Sequence, residues 1–537
     1  MDALGNASHA GGFGSPLKTT LEKSKEAFGQ VTWQHIVVAT TVYLLSLAFY
    51  RLYLHPLSDY PGPKLAAVTR WYEAYYDLVL GGQYTFRIAE MHKQYGPIIR
   101  ISPYELHVSD PAFFEKLFRQ DGRWDKYAWS YAAFGAPLTA VATPAHDLHR
   151  RRRAPVNSFF SKQNVAKRID TVKRQVNKFC DRLDGFASLN DRLNLNIALA
   201  AFARDAASDF MLGKCYGNLD QPDFNAGMTK AIGGLTQLWM VTKHFRWVGG
   251  SLMALPVPVA KKLGGEGNRT LFSYLDATLH DTAKLMAQAK SENPDPEAPH
   301  TLVHAIVQSN LPEPELRHRR VAEEVASITG AGFESTAAVM RVTLFHIYSN
   351  PEILGRLRSE LRSSGYGSKG SYPADLDWTK LQQLPYLTGV LHEGLRLSPG
   401  LASRMARVAP DRDLFYGERW RIPAGTPVGM TTILMHYDEQ LYPEPKRFVP
   451  ERWLDVEKRK KAEKTYAPFS RGTRSCLGMH LAWSELYMFI ASVVLRFDLK
   501  LDGAGPKDWE PAVDQFTIGT KDQSGIKTWV TRYEEHV

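Results

Sequence analysis

The pattern of apolar and polar positions divides the chain into an anchor-like run, a short connector and one large body. From Ala27 to Tyr50 no residue is charged, and IVVATTVYLLSLAFY (Ile36 to Tyr50) is the most apolar stretch. As a helix rising about 1.5 Å per residue, the uncharged run from Ala27 to Tyr50 covers roughly 36 Å, enough to cross a bilayer core of about 30 Å with some tilt. It lacks the polar face of a surface helix, and no small-residue cleavage site follows it, so it reads as a transmembrane anchor and not as a cleaved signal. We expect a polar tail over 1–30, the anchor over 31–50 and a hinge over 51–64, where HPLSDYPGPKL carries Pro56, Pro61 and Pro63. The body then spans 65–537.

In the body, amphipathic helical spacing dominates around Asn157 to Cys180, Asn268 to Lys290, Val321 to Tyr348, Glu352 to Leu361 and Leu384 to Leu397. Strand-like pieces are short: PIIRISPYELHVS near residue 100, and WRIPAGTPVGM near residue 425, where Pro and Gly punctuate. SSGYGSKGSYPAD (Ser363 to Asp375) reads as a loop between helices. The fold class predicted is mainly α with small β-sheets.

Composition adds a constraint on partners. A net charge of +10 suits an acidic partner or an anionic membrane face. Three scattered cysteines, Cys180, Cys215 and Cys476, exclude a disulfide framework and a CxxC zinc site, and point to a reducing compartment for most of the chain. Lysines and arginines flank the anchor on both sides and do not orient it. The sequon Asn6-Ala7-Ser8 is compatible with a luminal, glycosylated tail.

One stretch carries chemistry. FSRGTRSCLGM (Phe469 to Met479) sets Cys476 ahead of the helical run LGMHLAWSELYMFIASVVLRF. A sulfur at a helix N-terminal end meets unpaired N–H groups and the positive end of the helix dipole, which favour a thiolate, and Arg474 adds positive charge. Gly472 and Gly478 are expected to admit a flat ligand close to the backbone, and Phe469 to shield the loop from water. The stretch resembles the haem-ligand signature FxxGxRxCxG of the cytochrome P450 family, whose five fixed positions are filled by Phe469, Gly472, Arg474, Cys476 and Gly478. The resemblance implies the cytochrome P450 fold and haem b ligated through its iron by Cys476.

Further segments follow in the family's order. Glu393-Gly394-Leu395-Arg396 supplies the family's ExxR, whose two charges share a helix face, and PKRFVPERW offers Arg452 as third member of a structural cluster. In HDLHRRRRAPVNSFFS, His149 and Arg153 resemble the haem-propionate contacts, with His149 where many members carry Trp. SRMARVAP offers Arg407 as another such contact, in preference to Arg404. By charge alone Arg150 to Arg152 form a solvated face, a nucleic-acid face or a dock for an acidic redox partner; the last fits the basic balance, and no nucleic-acid partner is expected.

ITGAGFEST is a poor helix interior: Gly330 and Gly332 each cost about 1 kcal/mol relative to alanine, and Thr329, Ser335 and Thr336 can bond back to the preceding turn. We expect the helix to open locally. The run resembles the family's oxygen-activating motif [AG]Gx[DE]T[TS], with Ala331, Gly332 and Glu334 in register and Ser335 where most members have threonine. The resemblance gives Glu334 and Ser335 the delivery of protons, with Thr336 as the alternative hydroxyl. By register Phe333, Leu401 and Ser403 are expected to face the substrate, beneath a variable loop WDKYAWSYAAFG (Trp124 to Gly135).

YRLYLHPLSDYPGPKLAAVTRWYEAYYDL and HKQYGPIIRISPYELHV look like the fungal microsomal enzymes of secondary metabolism, of trichodiene-oxygenase-like type. That likeness implies a monooxygenase anchored by one helix in the endoplasmic reticulum with its catalytic domain cytosolic. It implies electrons from NADPH-cytochrome P450 reductase, with cytochrome b5 as a second donor, and insertion of one atom of O2 into an apolar terpenoid or polyketide. Two alternatives remain open on sequence: a haem-thiolate enzyme that rearranges, dehydrates or ring-closes an oxygenated substrate, and a non-catalytic haem sensor.

Overall fold

The computed structural model describes residues 32–254, 259, 266–293, 295, 298–366 and 376–534. The 1–30 tail with its sequon, and most of the loop read over Ser363 to Asp375, lie outside these residues. The anchor run forms helix α1 (Trp33–Phe49), which continues as a π-helical turn through Leu54 and buries no residue. Among the described residues it is the one helix long and apolar enough to cross a membrane.

The proline-rich connector is pinned, not free. Arg100 donates its backbone N–H to Pro61 (2.7 Å) and Nη1 to the Arg51 carbonyl (2.7 Å), and Arg51 Nη1 reaches the Val68 carbonyl (2.6 Å). Gly62 lies so close to the Arg100 backbone that a Cβ would collide with it. Leu57 and Tyr60 are buried. The hinge expected over 51–64 is therefore a packed strap, because its turn carbonyls and apolar side chains find partners on the first sheet.

Helices of the body include α2 (Trp71–Ala74, prolonged as a π-turn over Tyr75–Val79), α3 (His146–Phe159), α4 (Ile169–Leu189), α5 (Leu195–Leu212), α6 (Ala226–His244), α7 (Glu266–Ala289), α8 (His318–Tyr348), α9 (Pro351–Ser363), α10 (Pro385–Leu397) and α11 (Met479–Arg496). The pattern read over Asn157 to Cys180 is in fact the end of α3, a short helix Lys162–Lys167 capped by Ser161, and the first half of α4. α5 escaped the periodicity because nearly every position on it is buried, leaving no polar face to mark a period. Its Ala-rich surface packs against α8, where a Cβ on Gly332 would stand 3.3 Å from Ala207 Cβ. Thus Gly332 is a notch for a neighbouring helix. α8 stays helical from end to end: Thr329 and Ser335 do bond back to Val325 and Ala331, yet packing against α5, α7 and α10 keeps the ladder closed where local opening was expected.

Strands β1 (Ile98–Ser102) and β2 (Glu105–Val108) form a hairpin, joined by β3 (Asp125–Lys126), β5 (Arg407–Val408) and β8 (Pro427–Gly429) into a five-stranded sheet of order β1-β2-β8-β5-β3. β4 (Arg192–Asn194), β9 (Phe497–Asp502) and β12 (Lys527–Arg532) make a second sheet. β6 (Leu414–Tyr416) pairs with β7 (Trp420–Ile422), and β10 (Val513–Gln515) with β11 (Thr517–Gly519). One continuous apolar core joins α4, α5, α8, α10 and α11, and a second lies under the first sheet. The result is the mainly helical body with small sheets that the patterning predicts. Register in the first sheet has one functional consequence: Lys126 stands directly opposite Arg407.

Candidate active site

The loop before α11 closes on itself. Cys476 N–H donates to the Phe469 carbonyl (2.8 Å), and Ser475 N–H to Gly472 (3.1 Å). Gly472 has φ +74°, and a Cβ there would meet the Arg119 and Phe118 carbonyls at 2.5 and 2.8 Å. Left-handed backbone and the chain beneath it demand the glycine at 472, and Gly478 has open space around it. Phe469 packs against Trp483 of α11, ring centroids 6.0 Å apart.

Cys476 lies deep in the protein yet keeps accessible surface, so its sulfur looks into an internal cleft. Burial raises the thiol above its ordinary value, opposed by the Gly478 N–H and by Arg153. The helix-end effect expected from sequence is weaker than desolvation, because α11 begins only at Met479.

Beneath the loop, Glu393 and Arg396 are fully buried and paired through two hydrogen bonds of 2.9 and 2.7 Å. Glu393 also accepts from Arg452 Nε (3.3 Å), Val449 N–H (3.1 Å) and Trp453 Nε1 (2.9 Å). The remaining Arg396 donors reach the carbonyls of His436, Pro445 and Arg447. Every donor and acceptor of the pair is satisfied, which ties α10 to the segment leading into the cysteine loop.

Beside the loop, cations converge. Arg153 donates to the Ser475 carbonyl (2.6 Å), and Arg474 to those of Thr143, Trp124 and Pro144. Lys126 Nζ donates to the Val141 carbonyl (2.5 Å). Arg407 Nη2 and Arg474 Nε are buried without a partner. Burial and mutual repulsion push Lys126 far down and Arg474 down to about 10, and hold the His149 imidazole down at about 2, so that it is a neutral ring with one N–H to give. Three buried basic side chains with the half-buried Arg153, two orphaned guanidinium nitrogens and a thiol on one cleft fit a planar metal macrocycle carrying two carboxylates. Arg404, set aside on sequence, is consumed elsewhere by Glu73 and Glu105.

On α8 the face shown to the cleft carries Gly330, Ala331 and Ser335. Ser335 Oγ donates to the Ala331 carbonyl (2.8 Å), and its Cβ lies 3.7 Å from where a Cβ on Gly400 would stand. Thr336 turns the other way: it is buried and hydrogen-bonded to Glu485 of α11, whose carboxyl burial pushes up to about 8. Glu334 leaves Oε1 without a partner; burial raises its carboxyl against the opposing charges of Arg204 and Arg341.

Phe333 does not share the cleft face. It is buried with its ring 5.8 Å from that of Tyr274 on α7, since positions two apart on a helix point to nearly opposite sides. Leu401 bridges to Thr517, and Ser403 Oγ donates to Asp514 (2.7 Å). Sequence reasoning missed Lys126, Arg204 and Glu485. Only Glu485 left a signal, as the one acidic side chain in an otherwise apolar helix.

A thiol in a cleft, a cationic cradle for two carboxylates and a helix face with one hydroxyl define a haem-thiolate oxygenase. The cytochrome P450 family model matches residues 69–524, and the chain belongs to the cytochrome P450 family. It is similar to a protein described as tryptophan 6-hydroxylase fscE of Fusarium equiseti, at 36% identity covering 93% of this chain and 96% of that one. It is also similar to conidiogenone synthase PchP450 of Penicillium rubens, at 35% identity covering 86% and 91%. A crystal structure of a cytochrome P450, CYP102L1, shares the fold at 18% identity with a TM-score of 0.67, covering 84% of this chain and 98% of that one. The protein is thus a haem monooxygenase of the fungal secondary-metabolism kind, its iron held by a cysteine thiolate and its electrons drawn indirectly from NADPH.

Proposed function

We propose that Cys476 is the iron ligand and that the substrate is an apolar secondary metabolite, a terpenoid, a polyketide or an aromatic amino-acid derivative. The last class is added by the relatives whose descriptions specify tryptophan and N-acetyltryptophan 6-hydroxylation. The observation that carries the assignment is the pair of orphaned nitrogens on Arg407 and Arg474 beside the cysteine loop. Haem bound there supplies dioxygen activation and oxygen-atom transfer. Arg153, Arg407, Arg474, Lys126 and the neutral His149 bind its propionates. Phe469, Gly472 and Gly478 shape the loop, and Glu393, Arg396 and Arg452 hold it from below.

Ser335 supplies the proton-relay hydroxyl on the cleft, with Ala331 beside it, while Gly332 serves the contact with α5. Glu334 brings protons to that face, and its unpartnered oxygen leaves it free to move between Arg204 and Arg341. Thr336 is engaged by Glu485 and serves the helix contact. Leu401 and Ser403 lie on the segment that follows Gly400, which abuts Ser335, and border the substrate.

NADPH-cytochrome P450 reductase, with cytochrome b5, docks through acidic side chains on the exposed Arg150 and Arg151 of α3, which is the helix that carries Arg153. α1 anchors the protein once in the endoplasmic reticulum, the tail over 1–30 luminal and the body cytosolic. The test is reconstitution with the reductase and NADPH, preceded by a screen of terpenoids, polyketides and indoles for a spin-state shift. Turnover that proceeds without reductase would contradict the scheme.

A further inference from the structure

At the body end of α1 a cleft of about 270 Å³ lies between the π-helical turn, the proline-rich strap and β1. It is lined by Leu52, Tyr53, Ser58, Lys64, Tyr95 and Arg100 among others, and no acidic side chain is among them. The charge around it is one-sided. Arg100 is almost fully buried and donates Nη1 to the Arg51 carbonyl and Nη2 to that of Pro103 (2.9 Å), which leaves Nε without an acceptor. Arg51 donates to the Val68 carbonyl and to the Tyr104 hydroxyl (2.6 Å), and its Nε is likewise unmatched. Lys64 is exposed. Among the described residues Arg51, Lys64 and Arg100 form no ion pair, and nearby Asp59 stands in solvent.

Neighbouring groups register this uncompensated charge. Burial and Arg51 push the Arg100 guanidinium down to about 10, and burial with both arginines lowers the His55 imidazole. Buried arginines elsewhere hold carboxylates: Arg396 has Glu393, Arg404 has Glu73 and Glu105, and Arg320 has Glu315 and Glu324. Arg407 and Arg474 keep orphaned nitrogens, and there the haem carboxylates are the answering anions. The neck repeats that second pattern beside an open cleft of its own. Tyr53, Ser58 and Tyr95 add hydroxyls that make no hydrogen bond among the described residues. Through Leu52 and Tyr53 the wall continues onto α1, where Phe49, Tyr53 and Leu54 are exposed.

We propose that this cleft binds the phosphate of an anionic phospholipid, with Lys64 and the free hydroxyls as its ligands and the acyl chains lying along α1. Arg100 and Arg51 act from behind, through the positive potential that they leave uncancelled. The proposal goes beyond the oxygenase chemistry and rests on the reading of α1 as a membrane anchor. A zwitterionic headgroup is disfavoured, because the cleft has no carboxylate to receive its cation. A soluble phosphate ester is disfavoured too, since it leaves the apolar surface of α1 uncovered.

The test counts ligands on the full-length holoprotein by native mass spectrometry from detergent micelles, with dioctanoyl phosphatidic acid, dioctanoyl phosphatidylcholine and glycerol 3-phosphate as probes. One phosphatidic acid should bind, about tenfold tighter than either of the others, the difference one charge-assisted contact makes. Lys64→Glu should abolish that preference and Lys64→Arg should keep it. Lys500→Glu, an equal charge reversal on the second sheet, should leave it unchanged; both lysines are exposed, so neither change disturbs the core. Phosphatidylcholine or glycerol 3-phosphate binding as tightly as phosphatidic acid, a preference that survives Lys64→Glu, or one that Lys500→Glu also removes would each overturn the proposal. Alkaline carbonate extraction of microsomes tells the two readings apart. If the protein stays in the membrane, a failed lipid preference falls on the cleft alone; if it is washed out, the anchor reading falls and the proposal with it.

Discussion

The two sides of the cysteine loop and of α8 handle buried polar groups in opposite ways. Below the loop, Glu393 accepts five N–H donors, and Arg396 spends its remaining donors on three carbonyls. Toward the distal side, Glu334 Oε1, Arg341 Nε, Tyr274 OH and Trp239 Nε1 are buried without partners. A satisfied network fixes one geometry; unsatisfied groups hold interaction in reserve for something that arrives. The contrast separates residues that build the site from residues that operate it.

The largest expected effect breaks the satisfied side. Glu393→Gln strips Arg396 and Arg452 of their counter-charge in a fully buried site, and should cost about 3–5 kcal/mol of stability, read by denaturant titration, with loss of bound haem. Next, Thr336→Val leaves the Glu485 carboxyl without its hydroxyl partner and should cost about 1–3 kcal/mol while leaving product formed per NADPH unchanged. Ser335→Ala sharpens the contrast from the other side: alanine is the better helix former, so stability should hold or rise, whereas product per NADPH should fall about tenfold. Equal uncoupling by both variants would erase the distinction drawn between the two hydroxyls.

The smallest effect is a pH dependence. Burial and nearby Arg396 or Arg459 push the imidazoles of His346, His392 and His436 down to about 3, 4 and 3. Below the ordinary value near 6.5, the unfolded chain takes up protons that the folded one refuses. Their contribution is therefore intact above that pH and lost as pH falls toward 4, at about 1.4 kcal/mol per pH unit for each ring. His346→Phe, which keeps the stacked ring between Phe448 and Trp509, should lower the slope of stability against pH between 6 and 4.5 by up to about 1.4 kcal/mol per pH unit.

What the sequence disclosed follows the same division. The cysteine loop and the Glu393–Arg396 pair were legible because their chemistry is written at fixed short spacing, and the α1 helix because its run of apolar residues is unbroken. α5 was hidden because a helix buried on every side has no amphipathic period. Lys126 was hidden because only the register of β3 against β5 brings it to Arg407. The opening expected in α8 did not occur because neighbouring helices outweigh the propensity of two glycines. Phe333 was misplaced by register: a motif gives an order of residues, and the packing of α7 decides which face each one takes.

The central claim is that Cys476 carries the iron. The ferrous-CO difference spectrum of the holoprotein, recorded for the wild type and for Cys476→Ala, tests it most directly. The red-shifted thiolate band should be present in the wild type and absent from the variant. A wild type without that band, or a variant that keeps it, would contradict the account.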